Sequence, residues 1–462
     1  MVFRSINNIH FVGIGGIGMS GIAELLLAEG FKVSGSDLVK GEATARLEKL
    51  GARIVQGHAP ENIVNAEVVV YSSAVKPEEN PETREAMRRK IPLIRRAEML
   101  AEVTRLHYGV AVAGTHGKTT TTSMIGLVLI EGGVDPTVIV GGKLADLGGT
   151  NARRGKGEWT VVEADEYDRS FLSLLPTVAV ITNLESEHLD IYSDLDDLKG
   201  SFIEFANKVP FYGFVALCLD EESLVDIMPK LTRRVVSYGT SSQCDVRASD
   251  LEYTEGTSRF TVSLRGKELG TITLGVPGLH NVKNALAAVT VGLALDLPFK
   301  KIARALGKFS GVYRRFELKG EEKKVMVIDD YAHHPTEVKA TLEGVKRGWN
   351  RRVVAIFQPH TYTRTRDFHD EFGKSFLNAD LVVITDIYPA REQPIEGVTG
   401  ELVAQSATDF GHRHVNYVAN KDDVPEHLVS LLEPGDIVLT MGAGDIWKIG
   451  EKILQRLKEI KL

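Results

Sequence analysis

Residues 110–122, VAVAGTHGKTTTT, bring a tight glycine turn, a lysine and several hydroxyls to the end of an apolar run. Backbone N–H groups of such a turn, and of a helix beginning behind it, converge on an anion. Lys118 adds a mobile charge for terminal phosphates, and the Thr119 hydroxyl can sit on Mg²⁺. The pattern predicts a nucleoside triphosphate site. It departs from the general G-x-x-x-x-G-K-[ST] loop at one position: Val112 stands where glycine is expected. The glycine has moved to Gly114, which shortens the loop to G-T-H-G-K-T.

Two acidic clusters follow. In VVEADEYDRSF, Glu163, Asp165, Glu166 and Asp168 stand behind the apolar pair Val161–Val162. Carboxylates at a strand end beside a phosphate loop suit Mg²⁺, which prefers hard oxygen ligands. In TNLESEHLD, Asn183, Glu185, Glu187 and His188 end the next strand. In a parallel sheet both strand ends face the crevice where ligands gather. A second anion site lies near the amino terminus, where Gly13, Gly15 and Gly18 fit G-x-G-x-x-G and Asp37 follows about twenty residues on. Alone, this is a dinucleotide fingerprint, and it keeps a nicotinamide-dependent oxidoreductase open as an alternative. It reports only a diphosphate at a helix N-terminus, however, and hydride transfer needs no ATP.

The elements that must position these residues alternate between strand and helix patterns, as in parallel α/β sheets. The first block runs from IHFVGI through MSGIAELLLAEG, FKVSGSD and VVVYSSAV to an expected basic helix around Arg88–Arg105. The second holds the phosphate loop and the strands PTVIVGG, EWTVVEAD, PTVAVITN and FVALCLD. An alternating stretch over Asp245–Gly275 predicts an antiparallel patch there, and helices are expected near Asn281–Ala294 and Phe299–Leu306. The third has strands VMVIDDYA, RVVAIFQP, LVVITDI and DIVLTMGA. The predicted class is therefore α/β in three domains, 1–105, 106–309 and 310–462, consistent with 462 residues. The outer two domains are expected to be Rossmann-like, and the central one of P-loop type. A formal net charge of −7 argues against nucleic acid as a partner. No signal-peptide core or bilayer-length apolar run is read, so no membrane is expected and the expected compartment is cytoplasmic. Cys218 and Cys244 have no ligand-spaced partners, against a disulfide framework or zinc site.

The order GIGGIGMSG, GTHGKTTTT, VEADEYD, TNLESEHLD, PGLHNVKNALAA, YRRFE, DDYAHHPTEV, QPHTYTRTRD and GAGDI resembles the Mur ligases of peptidoglycan synthesis over nearly the whole chain. GTHGKTT and DDYAHHPTEV weigh most, since neither is a generic glycine pattern. Within the family the motifs are most similar to members that join L-alanine to UDP-N-acetylmuramate at the expense of ATP. A sister activity, which re-attaches a recovered murein tripeptide to the same sugar nucleotide, is the nearest alternative.

The resemblance implies a role for each motif. The first domain would bind UDP rather than NAD, with Gly13, Gly15, Gly16, Gly18, Met19 and Ser20 cradling the diphosphate and Ser36, Asp37, Ser72 and Ser73 lining the same pocket. Gly114, Thr115, His116, Gly117, Lys118, Thr119 and Thr120 would hold MgATP, with Asn281 and Asn284 at the adenine. Thr119 and Glu163 match metal ligands, and His188 matches a ligand of a second Mg²⁺. Arg315 matches an arginine that reaches the phosphates, in preference to Arg314, and Asp330 an acid at the nucleotide. His333, His334, His360 and Arg364 lie on motifs near the amino-acid and muramoyl groups. Lys118, Arg315 and His188 are the expected catalytic set. Thr361 departs from the family pattern, which has arginine there.

Overall fold

The computed structural model describes residues 6–105, 107–144, 150–185 and 191–459. Two compact units divide the chain: residues 1–249, 261–271 and 283–306 form one, and 250–260, 272–282 and 307–462 the other.

Strands β1 (Asn8–Val12), β2 (Lys32–Asp37), β3 (Arg53–Gln56), β4 (Val68–Tyr71) and β5 (Leu93–Arg95) form the first sheet, in the order β3-β2-β1-β4-β5. Every pairing is parallel. Phe11, Val12, Val69 and Val70 are fully buried, and β4, buried on both faces, reads as a continuous apolar run rather than an alternating one. The carboxyl ends of β1, β2 and β4 share one edge, and they deliver Gly13, Asp37 and Ser72 to it. The basic helix expected over Arg88–Arg105 is instead two helices, Pro81–Arg89 and Arg96–Thr104, separated by β5. Lys90 ends the first in a left-handed conformation (φ 57°), and Pro92 disfavours helix for the residue before it.

The second sheet contains β6 (Tyr108–Ala113), β7 (Thr137–Leu144), β8 (Thr150–Arg153), β9 (Trp159–Glu163), β10 (Val178–Ile181), β11 (Phe214–Cys218), β12 (Val235–Gly239), β13 (Val246–Thr254), β14 (Thr257–Leu264) and β15 (Lys267–Leu274). Its order is β15-β14-β13-β12-β11-β10-β6-β9-β7-β8. The phosphate-loop strand β6 lies between β10 and β9, parallel to both, so both acidic strand ends flank the loop. β8 is antiparallel to β7 at one edge. The alternating stretch forms β13 to β15, linked by two-residue turns at Glu255–Gly256 and Arg265–Gly266. All four turn residues have positive φ, as tight hairpin turns of this kind require. Helices Leu279–Ala294 and Phe299–Gly307 lie where the sequence places them.

In the second unit, β16 (Glu317–Glu322), β17 (Val325–Asp330), β18 (Val353–Phe357), β19 (Leu381–Ile384), β20 (Val415–Tyr417) and β21 (Ile437–Met441) form a sheet in the order β16-β17-β21-β18-β19-β20. Only β16 is antiparallel to its neighbour. Val353, Phe357, Phe372, Phe376 and Leu439 centre the core on one face, and Val327, Ile356, Ile449 and Ile453 the core on the other. Among the described residues no helix is long and apolar enough to cross a membrane.

Candidate active site

At the first anion site the glycine turn is held by β2. Gly13 and Ile14 donate their N–H groups to the Ser36 carbonyl at 2.8 and 3.0 Å, and Gly15 donates to Asp37 Oδ2 at 2.8 Å. Asp37 therefore braces the turn through one carboxylate oxygen. Gly16 caps the helix Ile17–Ala28, whose first amides, at Ile17, Gly18 and Met19, are the donors that helix geometry leaves without an intrahelical acceptor. The Met19 side chain is core, and Ser20 Oγ turns back to the Ile17 carbonyl at 3.0 Å. Their side chains face the protein, so the backbone is what this stretch offers an anion. Ser36 is fully buried, and its hydroxyl donates to Glu82 Oε2 at 2.5 Å. Ser72 accepts the Ala74 N–H, and Ser73 lines a cavity described below.

The phosphate loop leaves β6 and enters the helix Lys118–Gly132, which holds Thr119 and Thr120 in its first turn. Gly114 has φ +136°, and any Cβ there would collide with the Thr182 hydroxyl, so only glycine fits. The peptide of His116 is clamped by Asn183: its N–H donates to Asn183 Oδ1 at 2.7 Å, and its carbonyl accepts from Nδ2 at 3.1 Å. Thr115 Oγ1 accepts the Glu185 N–H at 2.9 Å, and His116 Nε2 lies 3.5 Å from Glu185 Oε2. Asn183 and Glu185 thus shape the loop, a role their place at a strand end alone did not specify. Lys118 Nζ donates to the carbonyls of Gly114 and Thr115, and to both carboxylate oxygens of Glu166 at 2.8 and 2.7 Å. Asn284 Oδ1 accepts from Thr121 in the same helix, beside Gly117, while Asn281 Nδ2 donates to the Pro277 carbonyl.

Glu163, at the end of β9, accepts the Gly141 N–H at 2.8 Å. Burial pushes its carboxyl above the ordinary range, against the Gly141 N–H, the Thr119 hydroxyl and the Lys118 charge. Asp165 is pushed up by burial as well. A hydroxyl and a carboxylate in hydrogen-bond contact, with the carboxylate short of compensating positive charge, are a donor set that fits Mg²⁺. His188 and Glu187 lie outside the described residues.

Arg96 links the two anion sites. A Cβ on Gly18 would stand 2.9 Å from Arg96 Nη1, so the glycine lets this guanidinium approach the first turn of the helix Ile17–Ala28. Arg96 Nη2 is also 3.7 Å from Asp165 Oδ2. It borders a cavity of about 500 Å³ lined on one side by Tyr71, Ser73, Arg95 and Arg96, and on the other by Asp168 and Ser170. Asp168 and Arg169 take consecutive left-handed conformations (φ 50° and 59°), a strain of the kind found at functional sites. Arg169 is locked by both carboxylate oxygens of Asp197, at 2.7 and 2.6 Å. The sequence pattern marked the acids here but not Arg96.

In the second unit, the two adjacent arginines differ in commitment. Arg314 is spent on structure: Nε meets Asp329 at 3.1 Å, and the two Nη groups donate to the Gly444 and Gly442 carbonyls at 2.9 and 2.7 Å. Arg315 lies over the Tyr331 ring and meets Glu337 at 3.2 Å. Burial disfavours its charge, and Glu337 and Asp330 more than restore it. Asp330 accepts the N–H groups of Phe316 and Ala332 at 2.9 and 2.7 Å, and burial pushes its carboxyl up to about 7. His334 caps the helix Pro335–Gly348 by accepting the Thr336 N–H. His333 contacts the Tyr331 carbonyl at 3.0 Å and Glu337 at 3.1 Å, with its ring edge-on to His360. His360 stacks on Tyr388, and burial together with the charges of His333 and Arg364 lowers its pKa to about 4. Arg364 is in the first turn of the helix Tyr362–Ser375, just after Thr361.

Three family models match consecutive parts of the chain: "Mur ligase family, catalytic domain" at residues 8–108, "Mur ligase middle domain" at 112–292, and "Mur ligase, glutamate ligase domain" at 314–444. A UDP-N-acetylmuramate–L-alanine ligase of Geotalea uraniireducens is 54% identical over 457 residues, covering 99% of both chains. The crystal structure of a UDP-N-acetylmuramate–alanine ligase from Thermotoga maritima matches with a TM-score of 0.81 and 30% identity, covering 98% of this chain and 100% of that one. A murein peptide ligase from Psychrobacter arcticus matches with a TM-score of 0.70 and 26% identity, covering 99% and 100%. With two anion loops on two sheets, a third sheet beyond them, and each sheet covered by its own model of one family, the chain belongs to the Mur ligases.

Proposed function

We propose that this chain joins L-alanine to the lactyl carboxylate of UDP-N-acetylmuramate, consuming ATP and releasing ADP and phosphate, in the synthesis of peptidoglycan precursors. The observation that carries the reading is Arg96, which stands against the diphosphate helix at Gly18 and 3.7 Å from Asp165 behind the phosphate loop. A substrate whose diphosphate rests on Ile17–Met19 has a cationic path beside it toward the triphosphate site. The L-alanine ligase of Geotalea uraniireducens and its 54% identity supply the amino acid. Residues 1–105 would bind the sugar nucleotide, 106–309 MgATP, and 310–462 the amino acid, in the cytoplasm where these substrates occur.

The chemistry follows from charge. A carboxylate oxygen attacks the γ-phosphorus, the bond to the ADP oxygen breaks, and an acyl phosphate forms. The amine nitrogen then attacks the acyl carbon, a proton leaves the nitrogen, and phosphate departs to leave an amide. The first step brings an anion to a tetra-anion, so positive charge must be present beforehand. Lys118 supplies it from the loop, exchanging Glu166 for phosphate oxygens, and Arg315 from the third domain. Thr119 and Glu163 would hold Mg²⁺, with His188 at a second ion, and bound Mg²⁺ supplies charge neutralisation at the phosphates. His333, His334, His360 and Arg364 would face the amino acid and muramoyl groups. The acyl phosphate hydrolyses readily, so closure that excludes water belongs to the mechanism.

Phosphate release from MgATP, with UDP-N-acetylmuramate and L-alanine added singly and together, tests the reading. Release should require both substrates, and Lys118→Ala should lower turnover at least about a hundredfold, as for other lost charge-stabilising donors. Turnover with L-Ala-γ-D-Glu-diaminopimelate in place of L-alanine would move the chain to the recycling activity. Near-normal turnover in a folded Lys118→Ala protein would remove that residue from the mechanism.

A further inference from the structure

The helix Pro81–Arg89 sends one carboxylate into the interior of the first domain. Glu82 is fully buried and contacts three separate segments. Ser36 Oγ at the end of β2 donates to Oε2 at 2.5 Å. Asn62 Nδ2 and the Ala59 N–H, both after β3, donate to Oε1 at 2.5 and 3.3 Å. His10 Nε2 on β1 and His58 Nδ1 approach Oε2 at 3.4 and 3.5 Å. His10 is itself held by Ser34 at 2.9 Å, and His58 by Ser36 Oγ at 2.9 Å. Burial works to raise the Glu82 pKa, but the hydrogen bonds from His10, Ser36 and Asn62 outweigh it and hold the group below its ordinary value.

A buried carboxylate is costly unless its partners are in place, so the network has one favourable arrangement rather than a range of them. That arrangement ends at Ser36. Its carbonyl accepts the N–H groups of Gly13 and Ile14, and the next residue, Asp37, accepts Gly15. Three consecutive amides of the glycine turn are thereby referred to β2, and β2 is referred to Glu82. We propose that Glu82 is a positioning residue for the nucleotide-sugar diphosphate: by fixing Ser36 it sets the glycine turn at the height that presents the Ile17–Met19 amides to the anion. This rests on the functional reading above, which puts the diphosphate at that turn.

The sign of the effect separates positioning from charge. Removing a negative charge beneath an anion site strengthens anion binding by Coulomb's law alone. Loss of positioning weakens it. Glu82→Gln and Asn62→Ala, which removes the donor to Glu82 Oε1, are compared with wild type for equilibrium binding of UDP-N-acetylmuramate, for its KM, for the KM of ATP, and for kcat. Each variant is expected to bind the sugar nucleotide about tenfold more weakly, the scale of a lost hydrogen bond to a charged group. The KM for ATP and kcat should stay within about twofold, because the interaction is made equally in ground and transition states. Tighter sugar-nucleotide binding in Glu82→Gln would overturn the proposal. So would a lowered melting temperature with unchanged binding, which is what a merely structural group gives. If Glu82→Gln does not fold, Asn62→Ala decides alone: weakened binding is the expected result, and unchanged binding overturns the proposal. Wild-type protein that binds no UDP-N-acetylmuramate would overturn the functional reading as well, whereas equal binding by wild type and variants overturns this inference only.

Discussion

The Lys118 ammonium of the glycine loop already has an anionic partner in the fold, the Glu166 carboxylate. The carboxylate and two loop carbonyls keep Lys118 beside the turn, and in the proposed reaction the lysine exchanges Glu166 for phosphate oxygens, so that its own charge stays paired. In the second unit, His360 follows the opposite logic. Among the described residues, His360 Nδ1 is buried without a hydrogen-bond partner, and the ring stays neutral because its pKa falls from 6.5 to about 4. Between those values the unfolded chain binds a proton that the fold does not. Stability contributed by His360 is therefore fully present above about pH 6.5 and is lost as pH falls toward 4, with a slope of at most about 1.4 kcal/mol per pH unit. Denaturant titrations of wild type and His360→Gln from pH 4 to 8 measure it. The stability difference should be flat above pH 7 and shift in the variant's favour as the buffer is acidified. A difference independent of pH would mean that the ring titrates in the fold as it does in the unfolded chain.

At the scale of elements, the helix Tyr362–Ser375 starts from a strained residue. Thr361 has φ 66° and ψ 146°, a region that a β-branched side chain enters at a cost of about 1–3 kcal/mol. Its N–H donates to the Tyr388 carbonyl at 2.9 Å and its carbonyl accepts from Thr365, so both neighbours hold the conformation in place. Thr361→Gly should relieve the strain and raise stability by about 1 kcal/mol, read as a higher denaturant midpoint at unchanged slope. A lower midpoint would show that the threonine methyl contributes packing worth more than the strain. Strand and helix legibility divided along physical lines. Buried parallel strands such as β4, β6, β10 and β18 are apolar on both faces, and the sequence declares them. Edge and short strands did not announce themselves: β3, β5 and β20 lie at or next to sheet edges, with partly exposed residues and no apolar run. The glycine loops were legible because the chemistry demands those residues in order. What the carboxylates do was not. Glu82 meets Ser36 across 46 residues, and Asp330 meets Phe316 across 14, distances at which local pattern carries no information.

At the scale of the molecule, the proposed reaction needs two anion sites on two sheets to cooperate, and within the first unit the two sheets are joined. The helix Ile17–Ala28, which carries the diphosphate amides, packs against β7 and β8 at the edge of the phosphate-loop sheet. Asn151 of β8 is buried and donates from Nδ2 to the Ile17 carbonyl, at the residue where the anion-binding turn becomes helix. Arg96 and Asp165 provide a second tie, at 3.7 Å and more exposed, which is correspondingly weaker. Asn151→Ala removes the buried tie and should cost about 1–2 kcal/mol, most of it from coupling between the two sheets rather than from either alone. Calorimetry distinguishes these. Loss of coupling should broaden or split the melting of the two sheets, raising the calorimetric enthalpy above the van't Hoff value. UDP-N-acetylmuramate should then shift only the component containing the first sheet, and MgATP only the other, since each ligand stabilises what it binds. If the variant's two sheets still melt as one, and either ligand moves the whole transition, Asn151 is ordinary packing and the coupling runs through Arg96 and its cavity instead.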